Sequence, residues 1–311
     1  MEISTLDSLR IVLDPIGQAG VAAALMLVMF GVALGLRVND FRLLADQPRV
    51  FFGGVIAQIF VLPLVTFGLI HLIAPPPSIA LGMIVVACCP GGSISNLFTY
   101  LSRGQIAVSV ALTATSSMLA ALLTPASTLF WAQTYEPTAA LLRSLDVSPL
   151  LFIGQTTLLL AIPLFAGMLF AARAPKVAER IRKRTTMIGA LVLIGTIIYG
   201  FVYFYPVLWP AVGLLLGITV IHNSAAFLTG ATAGWLLSPV PAVRRALTFE
   251  VGIQNSGLAL IILLAQLKGV GGAAAIAAVW GMWHIVAGGA VALLYSFIDA
   301  RANQQEEVVE A

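Results

Sequence analysis

The sequence predicts an all-α integral membrane protein with nine transmembrane helices, and three observations lead there. Hydrophobic residues make up 60% of the 311-residue chain and charged residues only 9%, with a mean hydropathy of +1.02. A soluble domain carries roughly 25% charged residues, so this chain lacks the polar surface to face water all round. The charges it has are confined to short intervals: no Asp, Glu, Lys or Arg occurs between Arg49 and Arg103, Arg103 and Glu136, Asp146 and Arg173, Arg184 and Arg244, or Lys268 and Asp299. The third observation is punctuation inside these runs, by proline-rich turns and by two polar, glycine-containing clusters.

A spanning helix takes about 20 apolar residues, so the longest gaps each hold two. The expected spans are 19–37, 50–73, 78–102, 105–131, 147–172, 186–205, 210–235, 243–268 and 272–298. The stretch "APPPS" (74–78) turns the chain between the second and third, and "FYPVLWP" (204–210) does so between the sixth and seventh. Ahead of them, residues 1–18 carry Glu2, Asp7, Arg10 and Asp14, with Ile3, Leu6, Leu9 and Leu13 at helical spacing; this predicts an amphipathic helix at the membrane interface and no cleavable signal. Residues 299–311 form a tail.

The basic residues follow topology. With the N-terminus outside, thirteen of the sixteen Lys and Arg fall on the cytoplasmic side, leaving Arg10, Arg143 and Lys268 outside. This is a strong positive-inside pattern for a multi-pass protein of the cell membrane with a cytoplasmic C-terminus. Nucleic-acid binding is not needed to explain these bases, and no obligate protein partner is evident. Cys88 and Cys89 are adjacent, have no third cysteine, and read as small packing residues.

The strongly basic connector "ARAPKVAERIRKRTT" (172–186) follows the fifth span, with four spans before that span and four after it. The two groups of four run in opposite directions, as in an inverted repeat. Their third and eighth spans are interrupted at corresponding places. In "CCPGGSISN" (88–96), Pro90 removes a backbone donor and Gly91–Gly92 favour unwinding, with about twelve residues before and eight after. In "EVGIQNSG" (250–257), Gly252 and Gly257 flank a polar cluster, and Glu250 opens a run with no other charge until Lys268.

A broken helix offers free carbonyls on one side, which suit a cation, and free N–H groups on the other, which suit an anion. Glu250 sits on the carbonyl side, and Asn255, Ser256 and Gly257 open the N–H side. Hard cations such as Na⁺ take carboxylate, amide, hydroxyl and backbone oxygens. There is no His/Cys cluster with transition-metal spacing, and no second intramembrane acid to orient a histidine for nucleophilic catalysis. An enzyme is therefore not expected.

"CCPGGSISNLFTYLSRGQIAVSVALTATSS" (88–117) and "FEVGIQNSGLA" (249–259) resemble the two signature segments of the bile acid:sodium symporter family. "VIAQIFVLPL" (55–64), "VIHNSAAFLTG" (220–230) and "VWGMWHIVAGG" (279–289) resemble other family segments in order and spacing. The likeness runs from about residue 20 to the end of the last span and points to the nine-helix members. It implies an inverted-repeat transporter in which two discontinuous helices cross. Residues 19–298 would form one transporter unit, with a core domain of 50–131 and 210–298 and panel helices at 19–37, 147–172 and 186–205.

The resemblance also implies two sodium sites sharing one acid. The first would take Ser95, Asn96, Ser109, Thr113 and Glu250; the second Gln58, Glu250, the carbonyls of Val251 and Ile253, and Gln254. Read alone, Ser109 and Thr113 fit equally well as hydroxyls bonded back to their own helix. The substrate side falls to Ser93, Asn255, Ser256 and His284, while His222 is assigned to structure and His71 to a helix end. The expected function is sodium-coupled import of an organic anion by alternating access. That anion would be bile-acid-like or a small carboxylate such as pantoate or a 2-oxo acid, its carboxylate facing the N–H groups of Asn255–Gly257 and Gly92–Ser95. Ser93 and Ile285 depart from the common family pattern on the substrate side. The alternative is a proton-coupled carrier using Glu250 as a relay.

Overall fold

The structure is a computed structural model that describes residues 5–11, 15–37, 42–203 and 205–310. Those residues form helices α1 (Pro15–Ala33), α2 (Pro48–Ile73), α3 (Pro77–Cys88), α4 (Ile94–Leu101), α5 (Ile106–Thr134), α6 (Glu136–Ser144), α7 (Pro149–Arg173), α8 (Pro175–Tyr203), α9 (Val212–Leu237), α10 (Pro241–Gly252), α11 (Ser256–Ala265) and α12 (Gly271–Glu310). Among them α2, α5, α7, α9 and α12 are long and apolar enough to cross a membrane. No strand occurs among the described residues.

Proline sets where many of these helices start. It occupies the first turn of α2, α3, α6, α7 and α10, where a missing N–H costs nothing and a fixed φ favours the helix. Inside α2 proline acts differently. Pro63 has no N–H, and its ring crowds the carbonyl four residues back. Just before it the helix widens into a π-turn over Ala57–Val61, closed by the Leu62 N–H on the Ala57 carbonyl. That turn carries Gln58, which is buried.

The center of the molecule is α3. Every residue from Ile79 to Ala87 is buried, as expected of a helix that is apolar all round. It packs on α2, α5, α11 and α12. α9 lies along α10, where Gly230 and Gly234, one helical turn apart, face the backbone of Leu247–Thr248 and of Arg244 too closely for any side chain. A second group is formed by α1 with α7 and α8, joined to the rest through α7 on α5 and α1 on α11.

The chain departs from the sequence-based expectation at its connectors. The basic segment after α7 is helical from Pro175 onward, since proline at the first position followed by Lys, Ala, Glu and Arg favours a helix. The segment before α7 contains α6, and the tail continues α12 to Glu310. The N-terminal residues described do not form a continuous amphipathic helix. One turn, Thr5–Ser8, leads into an extended stretch that bridges Arg10 to Val270. Leu6 is buried in the core, and the Asp7 carboxylate accepts the Ser78 N–H at 2.8 Å, satisfying a free donor at the start of α3. Glu2, Ile3, Leu13 and Asp14 of that expectation lie outside the described residues.

Candidate functional site

The first interruption lies where the sequence puts it, with twelve residues in α3 before it and eight in α4 after it. A residue preceding proline avoids the helical region, and Cys89, before Pro90, is extended at φ −76°, ψ 156°. In the second interruption Glu250 remains in the last turn of α10, and the chain unwinds over Ile253–Asn255.

The two unwound segments meet. Gly91 and Gln254 form an antiparallel bridge. Gly92 N–H donates to the Ile253 carbonyl at 3.0 Å, and Asn255 N–H donates to the Pro90 carbonyl at 2.8 Å. Backbone groups freed inside an apolar layer must find partners in the protein, and here each break supplies the other's. Gly91 is the contact point: a Cβ there would collide with Glu250 Oε1 and stand 2.8 Å from Gln58 Nε2.

The Glu250 side chain is fully buried. Ser95 Oγ on α4 donates to its Oε2 at 2.8 Å, Ser109 Oγ on α5 at 3.1 Å, and Thr113 Oγ1 reaches both carboxylate oxygens at 2.8 and 2.9 Å. The same hydroxyl also lies 2.9 Å from the Ser109 carbonyl, so its one proton is shared between its own helix and the carboxylate. Each hydroxyl oxygen keeps lone pairs after donating.

A helix end leaves four carbonyls without an intrahelical donor, and at α10 all four can be accounted for. The Phe249 carbonyl accepts Ile253 N–H at 3.0 Å. The Glu250 carbonyl accepts Gln58 Nε2 at 3.2 Å, that of Val251 accepts Gln254 Nε2 at 2.8 Å, and that of Gly252 accepts Asn223 Nδ2 at 2.8 Å. Three side-chain amides therefore direct their N–H groups to this helix end. Among the described residues, the oxygens of the same three amides, Gln58 Oε1, Gln254 Oε1 and Asn223 Oδ1, are buried without a hydrogen-bond partner, as is Asn96 Oδ1. Buried acceptors are rarely left so. A carboxylate with amide, hydroxyl and carbonyl oxygens around it is the donor set of a hard cation.

The structure thus brings Glu250, Ser95, Ser109, Thr113, Gln58, Val251, Ile253 and Gln254 to one crossing, with Asn96 beside Ser95 on α4. Of the substrate-side residues, Asn255 caps α11, its Oδ1 accepting Leu258 N–H at 3.0 Å. Ser93 is exposed at the start of α4. Ser256 abuts α12 at Gly281, one turn from the buried His284, whose Nδ1 lies 2.9 Å from the Trp280 carbonyl. The expected row of anion-facing N–H groups needs correction. Those of Gly92 and Asn255 are used in the crossing, Ser95 N–H bonds Gly92, and Ser256 N–H bonds the Gln254 carbonyl. Among the described residues no such bond engages Ser93, Ile94 or Gly257, so these three donors remain.

His222 has the structural role assigned to it. Trp280 Nε1–H donates to its Nδ1 at 3.2 Å, which puts the ring proton on Nε2, 2.8 Å from Thr66 Oγ1; that hydroxyl donates to the Leu62 carbonyl at 2.9 Å. The chain ties α12 and α9 to the helix just past the π-turn. His71 is exposed, its Nδ1 2.8 Å from the Phe67 carbonyl. Sequence reasoning passed over Asn223, although an amide inside an apolar helix next to a histidine was a usable signal. It also passed over Arg245, which pairs through both terminal nitrogens with Asp299 and donates to the Ser102 carbonyl at 2.7 Å, tying α10, α12 and the end of α4.

Comparisons with known proteins point to one family. Residues 22–208 match the Sodium Bile acid symporter family. A Bacillus subtilis (strain 168) protein named as an uncharacterized sodium-dependent transporter is 32% identical over 275 residues, covering 87% of this chain and 81% of that protein. A chloroplast protein of Arabidopsis thaliana, named as a probable sodium/metabolite cotransporter, is 30% identical over 243 residues, 76% of this chain and 57% of its own length. The ileal sodium/bile acid cotransporter of Homo sapiens is 28% identical over 246 residues, 77% of this chain and 67% of its own.

Proposed function

The chain belongs to the sodium bile acid symporter family, and on that premise we propose that it imports an organic anion with two sodium ions by alternating access. The family is one of multi-pass membrane transporters. In our reading this member crosses the cell membrane nine times, N-terminus outside and C-terminus cytoplasmic, as a 4 + 1 + 4 inverted repeat. α1, α7 and α8 act as the panel and the remaining spanning helices as the core. The separate packing of α1 with α7 and α8 supports that division.

The observation that carries the sodium reading is the set of three amides at the end of α10, each donating to a helix carbonyl and each presenting a buried oxygen with no partner. The first ion would take Glu250, Ser95, Ser109, Thr113 and Asn96. The second would take Glu250, Gln58, Gln254 and the carbonyls of Val251 and Ile253, which keep a second lone pair beside the bonds they already accept. Two cations against one carboxylate leave a net positive center, and an anionic substrate brings it toward neutrality. Sodium and substrate thereby each lower the cost of burying the other. Two sodium ions with one monovalent anion carry a net charge inward, and the membrane potential contributes about 2.3 kcal/mol per 100 mV to that movement.

The substrate class we infer is a bile-acid-like or smaller carboxylate. Its anion would face the remaining N–H groups of Ser93, Ile94 and Gly257, with Asn255, Ser256 and His284 alongside. A proton relay at Glu250 would leave the amide oxygens without a role. The test is thermal unfolding of the purified protein against a panel of organic anions, in sodium and in choline at fixed pH. A ligand stabilises only the state it binds, so the active anion should raise the midpoint in sodium alone. An equal rise in choline that follows pH would overturn the sodium reading in favour of the proton.

A further inference from the structure

A second cavity lies away from the crossing, at the junction of α1, α7 and α8. Its volume is about 570 Å³, and none of its lining residues belongs to the broken helices. Leu34, Leu36 and Met168 make an apolar floor, and Arg37, Lys176, Glu179 and Arg182 make a charged rim. Glu179 is partnered by Arg37 at 3.6 Å. Among the described residues neither Lys176 nor Arg182 has a carboxylate within salt-bridge distance. The Arg182 guanidinium lies against Gly35, with Nη1 2.7 Å from where a Cβ would stand. The first turn of α8 at Pro175–Lys176 adds its N-terminal end to the same wall, and such an end favours negative charge.

We propose that this cavity binds an anionic phospholipid, with its phosphate between Lys176 and Arg182 and the start of an acyl chain on the apolar floor. An apolar floor under a cationic rim fits an amphiphile better than a free anion, which would make no use of Leu34, Leu36 and Met168. The surroundings favour lipid as the source. On α7, Phe165, Leu169 and Phe170 are exposed within the two turns leading to the cavity, so the cavity adjoins surface that faces hydrocarbon in a membrane. Lys176, Glu179 and Arg182 of the rim belong to the strongly basic segment 172–186, at the boundary where cationic clusters recognise acidic headgroups. The bound lipid would pin α1, α7 and α8 together at that end. The inference is independent of the sodium reading, since the two sites share no residue.

The test is unfolding of the purified full chain in mixed micelles containing phosphatidylglycerol, phosphatidylcholine or, as a soluble headgroup, glycerol 1-phosphate. Phosphatidylglycerol should raise the unfolding midpoint by several degrees, and the other two should not. The double variant Lys176→Gln/Arg182→Gln, and separately Ala171→Phe, which fills the floor from the other side, should lose that rise while keeping their response to sodium. Equal shifts with phosphatidylcholine, a full shift with glycerol 1-phosphate, or an undiminished phosphatidylglycerol response in both variants would each overturn the proposal. If the double variant does not fold, Ala171→Phe alone decides the matter.

Discussion

The break between α3 and α4 lies against the break between α10 and α11, but the first is opened by Pro90, Gly91 and Gly92 and carries no charge, whereas the second keeps Glu250 in an intact last turn and is held by three side-chain amides. The first contributes clearance: a backbone bare enough at Gly91 for a carboxylate to lie against it. The second contributes charge and oxygens. Meeting at one point has not required like chemistry. An uncharged, glycine-lined partner is what lets a single acid serve the whole crossing, because a second carboxylate at this distance would repel the first.

If charge resides in one break only, Glu250→Gln should have the largest effect. Gln keeps the shape and removes the attraction for cations, so sodium-induced stabilisation and sodium-driven uptake should both vanish. A site filled to 100 times its dissociation constant contributes about 2.7 kcal/mol, and all of it should go. Without sodium the variant should unfold at or above the parent's midpoint, because an uncompensated buried charge has been removed. Retained sodium response would mean that the charge is not where the ions bind. Next comes Gly91→Ala, which tests clearance. The added methyl would push against Glu250 Oε1 and Gln58 Nε2. Overpacking of this kind costs about 1–3 kcal/mol, so the sodium needed for half-maximal stabilisation should rise about five- to 150-fold. An unchanged titration would show that the first break is mere spacing. The smallest effect is expected from Asn223→Ala, which leaves the Gly252 carbonyl buried without its donor. Overall stability should fall by about 1–3 kcal/mol, with a shift of a few-fold in the sodium titration. A loss as large as that of Glu250→Gln would move Asn223 from support to the heart of the site.

The parts of this arrangement that could be read in the sequence are those written in local chemistry. A proline followed by two glycines breaks a helix whatever surrounds it, and a lone acid in an apolar run has few innocent explanations. So the interruption at 89–93 and the isolation of Glu250 were visible, and the family segments supplied the hydroxyls at Ser95, Ser109 and Thr113 that bond it. What could not be read depends on the neighbour across the gap. Nothing local says that Gly92 and Asn255 give their N–H groups to the opposite break, which is why those donors were expected to face an anion. Asn223 is a polar residue in α9 until α10 presents it with a free carbonyl. The pairing of Arg245 with Asp299 spans 54 residues and is equally silent in sequence. The start of α8 at Pro175 lies ahead of the apolar span expected from 186, because an apolar run marks what crosses a membrane and does not mark where a helix of good formers begins.

The bridge at Gly91 and Gln254 has a mechanical consequence. Its bonds run from main chain to main chain and close the crossing without a water molecule or any side chain, so rearranging the surroundings gives them no reason to open. Under the alternating access proposed above, the rocking would carry both broken helices as a single body, like two bent rods riveted at their elbows. The moving seam would then lie farther out, where α1 and α7 pack on α11 and α5.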